Sequence, residues 1–311
     1  MKPGARRFAL RAGRRLKLVV NTIAGWVTVA MLRTLRLTNR QRTANVFGWF
    51  MRKAGPWLPE HRVGRANLAA AFPEKSPAEI EAILAGVWDN LGRVAAEFSH
   101  LDRLRIADIE RPGPSDIDYD QSTADRFVEI RIADRPTIFF AAHLSNWEIP
   151  ALVAAFFKLD GHVLFRPPNI RAISNAILKI RADCMGTLVP SGFDAPVRLA
   201  NALRRGSHVG MLVDQHDEKG VGVTFFGRTC RANPLLAQLA RHLECQIRGV
   251  RIVRLPGGNH FWGEISEPIQ LSRDAEGRVD VQGTMQAITS VVEGWVREHP
   301  EQWLWLHRRW R

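Results

Sequence analysis

From residue 137 to the C-terminus, short apolar runs alternate with helical patterns, and this alternation constrains the fold more than any other feature of the chain. Residues 137–142, 162–165, 187–189, 209–213, 247–253 and 260–265 read as strands. Residues 146–158, 170–185, 195–205 and 234–243 read as helices, and Met285, Ile288, Val292, Trp295 and Val296 mark a final long one. Strands separated by helices predict an α/β fold with a mostly parallel central sheet flanked by helices. Two stretches are expected to be loops: 111–121, with two Pro, a Gly and three Asp, and 220–227, which holds Phe225-Phe226.

The first strand runs into a stretch rich in reactive side chains, His143-Leu-Ser-Asn-Trp-Glu148. His143 stands at the carboxyl end of the strand, just ahead of a helix, and open α/β sheets bind ligands at that edge. Ser145 and Glu148 have the S-x-x-E spacing of a capping box. An imidazole and a carboxylate five residues apart across this turn can also meet. Glu148 would then hold His143 in one tautomer and leave its other nitrogen free to accept a proton. Spacing alone leaves Glu148 open to either role. Arg166 and Asn169 follow the second strand and Asp214 ends the 209–213 strand, so all three belong to the same edge. Each is either a substrate contact or a cap for a neighbouring helix. The fixed charge of Arg166 suits a phosphate or a developing oxyanion. The capping role is sufficient explanation for Ser145, which is not expected to be a nucleophile.

The N-terminal fifth differs from the remainder in charge. Residues 1–59 carry 13 Lys or Arg and no Asp or Glu, whereas the whole chain has 44 basic and 31 acidic residues; the other 252 residues therefore balance at 31 of each. These cations flank a mostly apolar run, 18–32, which favours a membrane surface over a nucleic acid as the partner. About 20 apolar residues are needed to span a bilayer, so the run reads as a retained anchor that either crosses the membrane or lies in its interface. Residues 1–42 are accordingly set apart as a basic segment with an anchor helix, and 43–311 as the α/β domain. Phe47, Trp49, Phe50, Met51 and Trp57 are either core contacts or aromatics at the headgroup level. The residues 65–72 and 76–100 look helical, the latter opened by Ser76-Pro77 with Glu79.

Cys184, Cys230 and Cys245 show no C-x-x-C spacing, which argues against a disulfide framework or a zinc site. No P-loop, G-x-S-x-G or HExxH pattern is present. No metal or cofactor is expected.

Several short motifs extend the pattern: Asn67-Leu68, Phe72-Pro73-Glu74, Asn90-Leu91-Gly92, Phe165-Arg166-Pro167, Asp214-Gln215, Phe225-Phe226-Gly227 and the ending Pro300-Glu-Gln-Trp-Leu-Trp-Leu-His-Arg-Arg309. With the His143–Glu148 block they make the chain resemble, over nearly its whole length, the late acyltransferases of lipid A biosynthesis, relatives of the H-x4-D/E glycerolipid acyltransferases. The resemblance implies transfer of a fatty acyl chain from an acyl-carrier-protein thioester to a hydroxyl of a lipid A precursor. It places that reaction at the cytoplasmic face of the bacterial inner membrane. The implied partners are acyl carrier protein, an anionic glycolipid acceptor and the membrane surface, with no nucleic acid. The chain departs from the family pattern at His216, where a second Asp often follows Asp214-Gln215.

A thioester is already activated, so the chemistry needs a base for the acceptor hydroxyl and a stabiliser for the oxyanion. His143 fits the first role, with Glu148 orienting it, and no covalent acyl-enzyme is required. Arg166, Asn169 and Asp214 are the expected substrate contacts. Two other readings stay open: an acyltransferase using acyl-CoA on another glycolipid or phospholipid, and a non-catalytic membrane or nucleic-acid-binding protein with a basic arm.

Overall fold

A computed structural model describes residues 3–310 other than 109, 112 and 134, with the side chains of the first helix described from Leu18 onward. The cationic side chains between Lys2 and Lys17 lie outside the described residues. The strands are β1 (Ile117–Asp118), β2 (Thr137–Ala141), β3 (Gly161–Phe165), β4 (Thr187–Pro190), β5 (His208–Leu212), β6 (His216–Phe225), β7 (Arg228–Ala232), β8 (Gln246–Arg254) and β9 (Phe261–Pro268). The helices are α1 (Pro3–Leu35), α2 (Arg40–Ala54), α3 (Pro59–Ala71), α4 (Pro77–Glu97), α5 (Gln121–Ile132), α6 (Ile149–Phe156), α7 (Arg171–Ala182), α8 (Ala195–Arg204), α9 (Leu235–Leu243) and α10 (Val281–Glu298).

Seven strands form one sheet in the order β1-β9-β8-β2-β5-β3-β4, and β6 pairs with β7 in a separate hairpin. The pairs β2·β5, β2·β8, β3·β5, β3·β4 and β1·β9 are parallel, and only β8·β9 is antiparallel among the pairs of this sheet. The mostly parallel sheet expected from the alternation is therefore present. Strand β2 is buried at every position and β8 at most of its positions, because helices cover both faces.

Side chains alternate between those faces. Ile138, Phe140, Val209, Met211 and Ile247 point into a large core with α8, α9, α10 and the C-terminal tryptophans Trp303 and Trp305. Phe139, Val250 and Ile252 point the other way, toward a smaller core built from α5 and α6, where Phe127, Ile130, Ile149 and Leu152 are buried.

Helix α4 opens with the full capping box that Ser76 and Glu79 predict, with Pro77 in its first turn. It crosses α2 at very close range. A Cβ on Gly92 would sit 2.3 Å from the Phe47 carbonyl oxygen, so only glycine admits this approach. Helix α1 contains an 18-residue apolar stretch, Leu18–Leu35, of mean hydropathy 1.5 with little of it buried. At about 1.5 Å per residue it is about 27 Å long, close to a bilayer core. Val46, Trp49 and Phe50 on α2, with Trp57 beyond it, also present exposed apolar surface.

Three local expectations are corrected. The stretch 220–227 is the body of the β6–β7 hairpin, not a loop. Its glycines mask the alternation, yet Val223 and Phe225 are buried. The hairpin reverses at Phe226-Gly227, both at positive φ (52° and 68°), the geometry of a two-residue type I′ turn. Phe226 tolerates that conformation because its N–H donates to Glu293 at 2.6 Å and its ring packs edge-on against Phe72 and Trp305. Residues 111–121 are not wholly loop: they contain β1, buried at Ile117 through pairing with β9. The helix expected over 146–158 starts only at Ile149, with no side-chain cap, because Ser145 sits in the left-handed region at φ 52°. The capping box of Ser145 and Glu148 does not form.

Candidate active site

Parallel pairing sets the geometry of the sheet edge. Ala141 of β2 lies opposite Leu212 of β5, so residues two positions beyond each, His143 and Asp214, leave the sheet at the same level. Their side chains meet: His143 Nδ1 is 2.8 Å from Asp214 Oδ1. Asp214 Oδ2 also accepts the His143 backbone N–H at 2.8 Å and the Trp303 indole N–H at 2.7 Å.

Burial of Asp214 by itself favours the neutral acid. The facing His143, by charge and by hydrogen bonds from both ring and backbone, overrides this and holds the carboxyl well below its usual range. An ionised carboxylate only accepts, so Nδ1 carries the proton and donates it. The other nitrogen, Nε2, is then an acceptor, and the Gln215 side-chain amide donates to it at 3.3 Å.

The partner expected for His143 is thus corrected. Glu148 does not reach the ring; it takes a bidentate pair from Arg181 of α7, at 2.8 and 2.6 Å. The late start of α6 and the left-handed Ser145 turn direct Glu148 toward α7, while the imidazole faces β5. Asp214 is correspondingly not on the substrate-facing wall but behind the ring, 3% exposed. Arg181 was not singled out from the sequence, where it is one of several cations in an amphipathic helix.

The turn bearing His143 is braced from several sides. Leu144 bridges to Trp303, and the Ser145 N–H donates to the Gln302 carbonyl at 2.9 Å. The Asn90 amide donates to the Ser145 carbonyl at 3.0 Å and to that of Gln302 at 3.2 Å. Asn146 donates to Glu97, which is wholly buried and paired with Arg254 at 2.6 Å. Asn67 in turn donates to the carbonyls of Trp305 and His307. Arg309 is buried and donates to the carbonyls of Gln215 and Arg231, both at 2.8 Å. The sequence motifs far from His143 are therefore the struts that hold its turn and the C-terminal tail together.

Beside the ring opens a cavity of about 570 Å³. Polar groups gather at its sheet-edge end: His143, Glu148, Arg166, Arg181, Gln215, His216 and Asp217. Its depth runs along the smaller-core face of the sheet between Phe139, Val163 and Gly210 on one side and Ala151, Ala154 and Met185 on the other. Arg166 is exposed and lines this cavity; Asn169 is exposed and lies outside its wall. A cavity of this size, apolar within and polar at the rim, matches a site for a small or chain-like ligand. Among the described residues no cluster of His, Cys, Asp or Glu could hold a metal ion. All three cysteines are free, and burial pushes the thiols of Cys184 and Cys245 up to about 11.

A histidine held by a buried carboxylate at the carboxyl edge of an α/β sheet, beside a largely apolar cavity, has a ring nitrogen able to accept a proton there, an arrangement suited to an enzyme. The model of the bacterial lipid A biosynthesis acyltransferase family matches residues 12–311, and the chain belongs to that family. It is therefore an acyltransferase of lipid A biosynthesis, with a lipid-A-type glycolipid as its class of acceptor. Comparison with curated individual proteins gives no match.

Proposed function

We propose that this enzyme moves a fatty acyl chain from an acyl-carrier-protein thioester to a hydroxyl of a lipid A precursor at the cytoplasmic face of the inner membrane. The observation that carries the reading is the placement of His143 Nε2 at the rim of an apolar cavity while Nδ1 is fixed by buried Asp214. In the reaction the acceptor hydroxyl replaces the Gln215 amide at Nε2. Nε2 takes the hydroxyl proton as the oxygen bonds to the thioester carbonyl carbon. Asp214 stabilises the imidazolium. The tetrahedral intermediate then collapses with cleavage of the carbon–sulfur bond, and the imidazolium returns the proton to the departing thiolate.

Arg166 at the rim stabilises the oxyanion or holds a phosphate of the acceptor, with Asn169 contributing from the same β3–α7 connection. Glu148 acts through Arg181, keeping a second guanidinium oriented at the cavity wall. Residues 1–42 anchor the protein, with the exposed aromatics of α2 seated at the headgroup level and the 43–311 domain facing the cytosol.

The test is transfer by the purified, detergent-solubilised enzyme, read by mass spectrometry of the lipid product. Acyl-carrier-protein thioesters and acyl-CoA are compared as donors to a lipid A precursor. Product from the carrier-protein thioester, lost in His143→Ala, is the expected result. Product from acyl-CoA alone would overturn the donor assignment, and full activity in His143→Ala would overturn the role of the base.

A further inference from the structure

Sheet residues that line the apolar depth of the cavity alternate with those that fill the opposite core, and two positions on the cavity side, Gly210 and the deeper Gly161 at the start of β3, carry no side chain. Gly210, the middle residue of β5, sits in register between Phe139 of β2 and Val163 of β3, both of which line the cavity. A Cβ added at Gly210 would meet no atom within 4 Å, although the residue is in the centre of the sheet. Glycine in a strand interior weakens it and commonly marks the close approach of something else. Its φ is not in the left-handed range, so backbone conformation does not demand glycine here. What the missing side chain provides is room.

Building on the acyl-transfer reading above, we propose that Gly210 sets which acyl chains the enzyme accepts, by leaving the slot open at mid-depth. Asp214 marks the level of the reacting group, and Gly210 lies four residues down the same strand. At about 3.3 Å per residue that is about 13 Å. A carbon chain of bonds of about 1.5 Å advances about 1.25 Å per atom in a zigzag, so about ten carbons reach this point. Beyond it the slot continues past Gly161, which pairs with His208 one rung deeper, to Leu159, Met185 and Leu188. His208 lines this end, its Nδ1 accepting the Thr137 N–H at 3.1 Å. A branched side chain at 210 closes the passage to these deeper residues and leaves the first part of the slot, the rim and His143 untouched.

The experiment measures initial rates for wild type and Gly210→Leu with carrier-protein thioesters of about eight to about sixteen carbons. The expected result is a ratio of long-chain to short-chain rates that falls by roughly tenfold or more, with the short-chain rate retained. An equal fall at every length, or an unchanged profile in folded protein, overturns the role of Gly210. Should Gly210→Leu fail to fold, as judged by thermal melting, Gly210→Ala is the second variant. It is expected to shift the profile in the same direction, and a wild-type profile in the folded alanine variant overturns the proposal. Wild type that transfers from no thioester defeats the functional reading instead. Titration with free fatty acids of the same lengths then still reports on Gly210: selective loss of the long ones is expected, and equal affinity for all lengths overturns it.

Discussion

The two faces of the central sheet are packed differently, although the same strands supply both. On the face toward α9 and α10, Ile138, Val209 and Ile247 lie side by side in register, each with no exposed surface. On the other face, one residue further along each strand, Phe139, Gly210 and Arg248 share a level, and the space over Gly210 is open. A one-residue alternation thus separates a solid core from a slot. The larger core lies on the first face and the cavity on the second, so mutations on each should have separable consequences.

The sharpest test of that separation is at the edge where the slot opens. His143→Ala is expected to lower acyl transfer by roughly 10²–10⁴-fold while leaving the fold intact, because it removes a base without touching the filled face. Asp214→Asn should lower activity by a comparable factor: the His143 and Trp303 N–H groups hold the amide oxygen, the NH2 then faces Nδ1, and the ring proton moves to Nε2, which can no longer act as the base. Steady-state rates with a single donor check both. A parallel collapse of the melting temperature in His143→Ala would erase the distinction between the two regions.

Next in size is a matched pair of valine truncations. Val209→Ala on the filled face removes a fully buried side chain and is expected to cost about 2 kcal/mol. Val163→Ala on β3 borders the cavity, where part of its surface already lacks partner atoms, and is expected to cost less than about 1 kcal/mol. Chemical denaturation of the two variants measures the difference. Equal costs would mean that the slot collapses in solution.

Much of this was legible in the sequence. The alternation of apolar runs gave the α/β class, and the position of His143 after its strand placed it at the ligand edge. Which carboxylate it meets was not legible, because that depends on β2 lying beside β5, a pairing between segments about 70 residues apart that spacing cannot reveal. Glu148, five residues away, was the nearer candidate on paper; the left-handed backbone at Ser145, an unusual conformation for serine, turned it toward Arg181. The hairpin over 220–227 was hidden by its glycines, and Arg181 by the other cations of its helix. The roles of Asn67, Asn90 and Arg309 as struts emerge only once the C-terminal tail is seen folded back beside the His143 turn.

The smallest effect concerns pH. Burial, the largest influence in each case, lowers the pKa of His100, His162, His208 and His307 below the ordinary value. In the unfolded chain these rings bind protons below about pH 6.5 while the folded protein resists doing so, and stability therefore falls as the pH drops through that value. Asp214 has the opposite chemistry, its folded pKa being depressed, so its contribution is intact at neutral pH and is lost only below about pH 4. A melting series from about pH 8 to about pH 5 should accordingly report histidines and not the catalytic-edge carboxylate. His208 lies at the deep end of the slot. Its replacement in His208→Gln should flatten the slope in that window without altering the behaviour below about pH 4. An unchanged slope would place the acid sensitivity at the other buried histidines, His100, His162 and His307, and not in the slot.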